Sequence, residues 1–476
     1  MDFQRLYNEY LNFANKDQDR YNVSINLLPF ITNSSSSKFD NTCSIKGITG
    51  DFFRNLKKTD SSISNYTIDA EQKFVFELVR QDVSETTIEK LKKIMKDLMC
   101  SDNVFRPIEA SFLQYYSLDK NDNGKITKYG AGQRRIATYL TSMVTDKDYY
   151  RTIMSPTNLL CQTIKNALDS AEQPAKEKNE NYYIFPFIKR QFEADLKWLL
   201  NQDDYVIIKY IDLFLYFYAC YSIGQTIMSL DAYNKVEKDI EKPEICYFIL
   251  SHESASEKRF AVNQGWSTKF KPRHIEYIFG RMQCIDILNT IVKDNEDEVV
   301  GLYPDVLKKF STVPFTENKN NCKKALEYYI KEKTEILKNR SSEKNKNYLT
   351  DVFECNVESY EDFFNKLEKA CLRLQSYDYK KISAQIIDLF KIRLLQQRRG
   401  RGQAVLVLDE EMLQFLIGLI TREERCKLKD LYNKFAEYGI CFDNKTKEQI
   451  AIQLQKLNVL ERKSDSGEAQ YAKVIL

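Results

Sequence analysis

Residues 403–476 read QAVLVLDEEMLQFLIGLITREERCKLKDLYNKFAEYGICFDNKTKEQIAIQLQKLNVLERKSDSGEAQYAKVIL, and the periods within this stretch decide the fold. Val405, Leu406, Val407 and Leu408 form a short apolar run ending at Asp409, whose carboxylate suits a helix N-cap. Met412, Phe415, Leu416, Leu419 and Ile420 then recur at helical spacing behind Glu410 and Glu411, which favour the positive end of a helix dipole. A second helix carries Leu428, Leu431, Tyr432 and Phe435 on one face and stops at Gly439, where a left-handed backbone is tolerated. A third starts at Thr446, whose spacing to Gln449 fits a capping box, and turns Ile450, Leu454 and Leu457 inward. Two strand-like runs, 459–463 and 469–475, follow, with Gly467 supplying the hairpin turn between them. Three helices and then a hairpin is the order of a winged helix, in which the third helix enters a DNA groove and the hairpin touches the backbone. Other winged helices hold only proteins together, and Glu448 between Lys447 and Lys456 keeps this third helix from being strongly basic.

The rest of the chain is read outward from that module. Its 476 residues, 43 % hydrophobic and 29 % charged, are enough for two to four domains with sizeable cores. Only 14 Gly and 9 Pro against 30 Tyr and 28 Phe favour long helices over a loop-rich β architecture. The expected fold is therefore mainly α. An N-terminal helical domain (1–150), a central helical core (151–335) and a helical linker region (336–402) lead to the winged-helix-like domain (403–476). Residues 391–476 hold 16 Lys and Arg against 12 Asp and Glu, so this end carries +4 of a total of +3 and the remainder nets −1. Eleven dispersed Cys without a CxxC pair read as reduced thiols of a cytoplasmic protein, and the N-terminus lacks the apolar core of a signal peptide.

Several motifs invite chemistry and are weighed against plainer readings. Asp119, Asn121, Asn123, Gly124 and Ile126 match the opening of an EF-hand loop, but position 12 is Gly130 rather than a bidentate Glu, so a polar turn is expected. Gly130-Ala-Gly132-Gln-Arg134-Arg135 lacks a strand before it, and no GxxxxGK[ST] occurs, so no P-loop nucleotide site is expected. Residues 206–230 are apolar enough to suggest a membrane span, yet Lys209 and Asp212 interrupt them; a buried core helix is the expectation, and no membrane association. Residues 247–250 read as a strand, and the Ser251-His252-Glu253 that follows lacks the spacing of a catalytic triad. Residues 273–295 read as an amphipathic helix, and two long helices fill 357–398. The second of these ends in Arg398-Arg399-Gly400-Arg401-Gly402, a basic elbow suited to phosphates or, in the plainer reading, a solvated linker. The candidate DNA contacts are Arg398, Arg399 and Arg401 in the elbow, Lys445, Lys447 and Gln449 on the third helix, and Arg462 and Lys463 on the wing. Asp443, Glu461 and Lys463 repeat the D…ExK order of metal nucleases, but a helix start and a wing give them no shared sheet on which to converge. No catalytic residue, metal or cofactor is expected.

The strings RRGRGQAVLVLDEEMLQFLIGLI (398–420), GICFD (439–443) and ERKSDSGEAQYAKVIL (461–476) resemble the DNA phosphorothioation-dependent restriction protein DptG family. LLPF at 27–30 and YFIL…GW from Tyr247 to Trp266 extend the resemblance over most of the chain. The resemblance implies a role in bacterial defence, where sulfur replaces a non-bridging phosphate oxygen of host DNA and a companion system attacks DNA without that mark. It also implies partner subunits, DptF and DptH, that supply the ATP-driven functions, in agreement with the absence of a P-loop here. The expected function is a non-catalytic subunit that binds double-stranded DNA and scaffolds a restriction complex. A metal-dependent nuclease and a winged-helix adaptor without DNA contact are the alternatives.

Overall fold

The computed structural model describes residues 1–7, 27–31, 35–57, 100–101, 104–153, 182–231, 241–254, 259–270, 275–294, 300–339, 353–374, 381–397, 404–422, 424–462 and 470–472, with scattered positions at 86–97, 155–165, 256 and 298. The fold is mainly α. Helices α1 (Ile45–Lys57) and α2 (Lys128–Thr141) lead to α3 (Pro186–Leu200) and α4 (Asp204–Asp231), and strand β1 (Cys246–Leu250) follows. Next come α5 (Ile278–Val292), α6 (Phe315–Asn339), α7 (Tyr360–Arg373) and α8 (Lys381–Lys391). The C-terminal part adds β2 (Leu395–Gln396), β3 (Val405–Leu408), α9 (Glu410–Thr421), β4 (Cys426–Lys427), α10 (Leu428–Glu437), β5 (Ile440–Phe442), α11 (Asn444–Lys456), β6 (Leu460–Arg462) and β7 (Gln470–Ala472).

Helix α4 is the axis of the core. By length and composition it could cross a membrane, but 78 % of its apolar window is buried inside the protein. Its polar atoms are answered by neighbours, as burial requires. Tyr216 donates its hydroxyl to Leu389 O (3.0 Å) and accepts the Arg393 amide (3.0 Å), Tyr218 donates to Asp195 (2.6 Å), and Asp212 meets the Thr49 hydroxyl. Burial still lifts the Asp212 carboxyl above its ordinary range, against the pull of Thr49 and Lys46. The apolar 27–30 segment is buried against the same core, with Leu27, Leu28 and Phe30 all enclosed. Helix α5 is buried along nearly its whole length rather than amphipathic. It lies between other helices and so has no solvent face to carry polar residues.

A four-stranded sheet of order β2-β3-β1-β5 lies against this core. β1 pairs in parallel with β3 (Ile249 with Val407) and with β5 (Cys246 with Ile440), although these partners are far apart in sequence. Phe248, Leu250, Leu406, Leu408, Ile440 and Phe442 join the main core, while Ile249, Val405 and Val407 pack with Ala261 and Val262 in a separate apolar cluster. Such two-sided burial is why the strands read as unbroken apolar runs. Helix α8 stops at Lys391 and does not run on toward Arg398. The Tyr216 hydroxyl takes up its last backbone groups, and the chain turns into β2, antiparallel to β3.

The strand β4, with β7 and β6, forms a second sheet of order β4-β7-β6, antiparallel throughout. Asp409 caps α9 through the Met412 amide (2.8 Å), as its place in the sequence implies. Gly439 adopts φ +70° after α10, and a side chain there would strike Glu244 O. Helix α11 begins at Asn444, not Thr446: Asp443 is its cap, accepting the Thr446 amide at 2.9 Å, and Thr446 lies buried one turn inside. Ile450 and Leu454 face the core as expected, whereas Leu457 is 38 % exposed, past the last helical turn. Near the N-terminus, Asn121 Oδ1 accepts the Asn123 and Lys125 amides, and Thr127 caps α2 while bonded to Asp119. These side chains close the 119–130 turn on themselves.

Candidate nucleic-acid interface

Helix α11 is held by its first turn. Asp443 Oδ1 accepts Arg259 Nη2 (2.6 Å) and Asp443 Oδ2 accepts Arg259 Nε (3.1 Å), a bidentate pair. The same guanidinium donates Nη1 to Glu253 (2.7 Å) and Nη2 to the Thr446 hydroxyl (2.8 Å). Glu253 closes the network by accepting the Leu250 amide at the end of β1 (2.9 Å). Arg259, Glu253 and Asp443 are all nearly buried. Burial pushes the Asp443 carboxyl up, but the hydrogen bonds from Arg259 and Thr446 outweigh it and hold the group below its ordinary value. The Ser251-His252-Glu253 stretch thus contributes a carboxylate to a structural clasp, with His252 exposed beside it. Asp443 has both oxygens committed to this clasp.

The parallel sheet decides which candidate residues come together. β5 delivers Asp443 and α11 at its carboxyl end, beside the carboxyl half of β1. Gln396 and Val405, which flank residues 398–403, are paired at the opposite, amino end of β3. The flanks of the basic elbow and the start of α11 therefore sit at opposite ends of the sheet. Arg398, Arg399, Arg401 and Lys463 lie outside the described residues, as does the side chain of Arg462, which is in register with Gln470.

On α11, Lys445 is exposed in the first turn and Gln449 is half-buried. Lys447 is also half-buried, its Nζ 5.3 Å from the centre of the Tyr432 ring, while the Tyr432 hydroxyl donates to Lys447 O (2.9 Å). The outer face of the helix is completed by Glu448, Ile452 (45 % exposed), Gln455 and Lys456. Lys427 and Lys429 are exposed at β4 and the start of α10, and Lys427 is in register with Tyr471, which is in register with Glu461. The sequence reading passed over these two lysines, although the alternation Arg425-Cys-Lys427-Leu-Lys429 carried their signal. It also missed Arg259, a lone arginine whose partners are Glu253, six residues before it, and Asp443, 184 residues on. The arrangement offers single cations at the starts of α10 and α11, able to contact phosphates singly, and a mixed polar and apolar face between them. No model of a known protein family matches the chain, and neither does any curated protein sequence.

Proposed function

We propose that the C-terminal part is a winged helix and that the chain is a non-catalytic, DNA-binding and scaffolding subunit of a bacterial restriction complex. Its attack is directed by DNA phosphorothioation, and the chain acts in the cytoplasm beside partner subunits resembling DptF and DptH. One observation carries the reading: the strand between α9 and α10 and the two strands after α11 pair in the order β4-β7-β6, with β6 and β7 as the hairpin. That pairing order supports a helix-turn-helix module with one wing. The exposed Lys427, Lys429 and Lys445 supply backbone contacts in this reading, and Arg398, Arg399, Arg401, Arg462 and Lys463 extend them. The test is the affinity of the full chain for an unmodified and a phosphorothioated duplex across a salt series. Affinity falling steeply with salt supports the reading. Absence of binding at low salt overturns the DNA contact.

A second reading is favoured by one feature. Ile452 and Leu457 are exposed on or just past the helix that would enter the groove, and Glu448 lies on the same side. An apolar and acidic recognition face fits a protein partner better than a phosphate backbone. Substituting Ile452→Lys separates the two readings. Loss of partner-subunit binding with DNA affinity kept or raised marks an adaptor.

A further inference from the structure

A cavity of about 450 Å³ opens between the C-terminal end of α3 and the α9–α10 turn. Its size falls in the roughly 300–1,000 Å³ range of small-molecule sites. Trp198 and Leu419 form apolar wall, Tyr438 and Arg422 reach its inner side, and Lys434 and Glu437 stand on α10. Beneath it, the buried carboxylate of Asp195 accepts the hydroxyls of Tyr218 (2.6 Å) and Tyr438 (2.7 Å) and Arg422 Nη2 (2.8 Å).

Arg422 is the telling residue. Its backbone sits at φ +50°, ψ −116°, in a turn closed by the Glu424 amide on Thr421 O (3.0 Å). Such a positive φ is a conformation in which glycine is the relaxed choice and another residue is strained. Asp195 engages one guanidinium nitrogen, and the Arg422 side chain is still 45 % exposed, so further N–H donors face outward at the cavity. Lys434 and Glu437 form no side-chain hydrogen bond or ion pair among the described residues. The indole N–H of Trp198 is buried, without a hydrogen-bond partner among the described residues, and points away from solvent. An indole wall, the two cations Arg422 and Lys434 and the two carboxylates Glu437 and Glu424 line one concavity.

We propose that this cavity binds a nucleoside monophosphate whose base carries an exocyclic amino group. The base stacks on Trp198, as bases do on aromatic side chains in single-strand binding sites. The phosphate takes the spare donors of Arg422 and the Lys434 ammonium, which are charge-assisted contacts. Glu437 accepts from the amino group, the pairing that acidic side chains make with amino-bearing bases. The proposal is independent of DNA binding by α11, since the cavity is built from α3 and the α9–α10 turn.

The test uses the full chain carrying Trp266→Phe, which leaves Trp198 as the single indole of a protein that has two. Its fluorescence is titrated with AMP, UMP, adenosine and inorganic phosphate, with calorimetry on the wild-type chain in parallel. AMP should bind saturably, and adenosine, phosphate and UMP should each bind at least about tenfold more weakly, since adenosine lacks the phosphate contact, UMP the amino contact and phosphate both base contacts. Lys434→Gln should weaken AMP by about tenfold without touching Asp195. Glu437→Ala should remove the preference for AMP over UMP. Arg422→Gly, which relaxes the turn but deletes the guanidinium, should abolish binding in a chain that circular dichroism shows to be folded. If that variant does not fold, Lys434→Gln decides. Neither heat nor quenching with AMP, equal affinity for phosphate alone, or full affinity in Lys434→Gln would each overturn the proposal.

Discussion

Asp443 and Asp195 each give a carboxylate to an arginine far away in the chain, yet their surroundings push them in opposite directions. Asp443 meets Arg259 through both oxygens and sits at the positive end of α11. Hydrogen bonds from Arg259 and Thr446 overcome its burial, and its carboxyl lies below the ordinary value of 3.8. Asp195 is 1 % exposed in the middle of α3 and receives one guanidinium nitrogen and two neutral hydroxyls. There burial wins, and the carboxyl lies above its ordinary value despite Tyr218, Tyr438 and Arg422. The first ties the start of α11 to the segment after β1, and the second ties the residues on either side of α10 to α3. One does it with a fully answered charge, the other mainly by enclosing polar atoms.

The largest expected effect breaks the first clasp. Arg259→Ala leaves Glu253 and Asp443 buried side by side without their cation, a loss of about 3–5 kcal/mol. Asp195→Asn keeps the shape and removes a charge that burial disfavours. Arg422, half exposed, can turn to water, so the change should cost within about 1 kcal/mol. Urea unfolding of the two variants measures the contrast, and a costlier Asp195→Asn would reverse the comparison. Just below in size come Leu431→Ala and Leu454→Ala, which empty fully buried positions of α10 and α11 at about 2–5 kcal/mol each. Unchanged thermal melts for both would mean that these helices do not pack through those faces.

A smaller effect separates the clasps by the sign of their pH dependence. With its folded value lowered, Asp443 contributes stability above pH 3.8 that is lost as pH falls through the lower folded value. With its folded value raised, Asp195 does the reverse. Between 3.8 and the raised value the unfolded chain ionises first, so folding weakens as pH rises. Stability against pH for Asp443→Asn and Asp195→Asn should therefore differ from the parent with opposite slopes in the acid range. Parallel curves would show that the two carboxylates do not differ.

What the sequence could reveal follows the same division between local and distant causes. The cap at Asp409, the stop at Gly439, the apolar faces of α9 and α10 and the two short strands β6 and β7 depend on residues within a few positions of one another, and all were legible. The expectation of a mainly α fold with a buried α4 came from composition and from two interrupting charges. The parallel pairing of β1 with β3 and β5 was not legible, because short, two-sided apolar runs carry no signal for their partners. The start of α11 was misplaced by two residues because Thr446 and Gln449 imitate a capping box, while Asp443 wins the cap with the help of Arg259. At the candidate interface, Lys445 and Lys447 could be named in advance, but not the Tyr432 ring that takes the charge of Lys447.

The smallest effect on stability tests the surface rather than the clasps. Lys445 is exposed on the first turn of α11, next to the buried Asp443 clasp that fixes the helix. Lys445→Ala should leave unfolding within about 0.5 kcal/mol of the parent, since no packing is lost. If the lysine contacts a phosphate, the slope of log affinity against log salt should flatten by about 0.9. The triple replacement of Arg398, Arg399 and Arg401 by Ala should flatten it by roughly two to three, because each lost contact adds its own share of released counterions. Both changes should weaken random and preferred duplexes alike, as phosphates carry no base identity. The flanks of the elbow and the start of α11 lie at opposite ends of one sheet, so the two losses should add in the combined variant. A slope unchanged by the triple replacement removes the elbow from the interface. A slope unchanged by Lys445→Ala leaves the outer face of α11, with Ile452 and Glu448, to a protein partner.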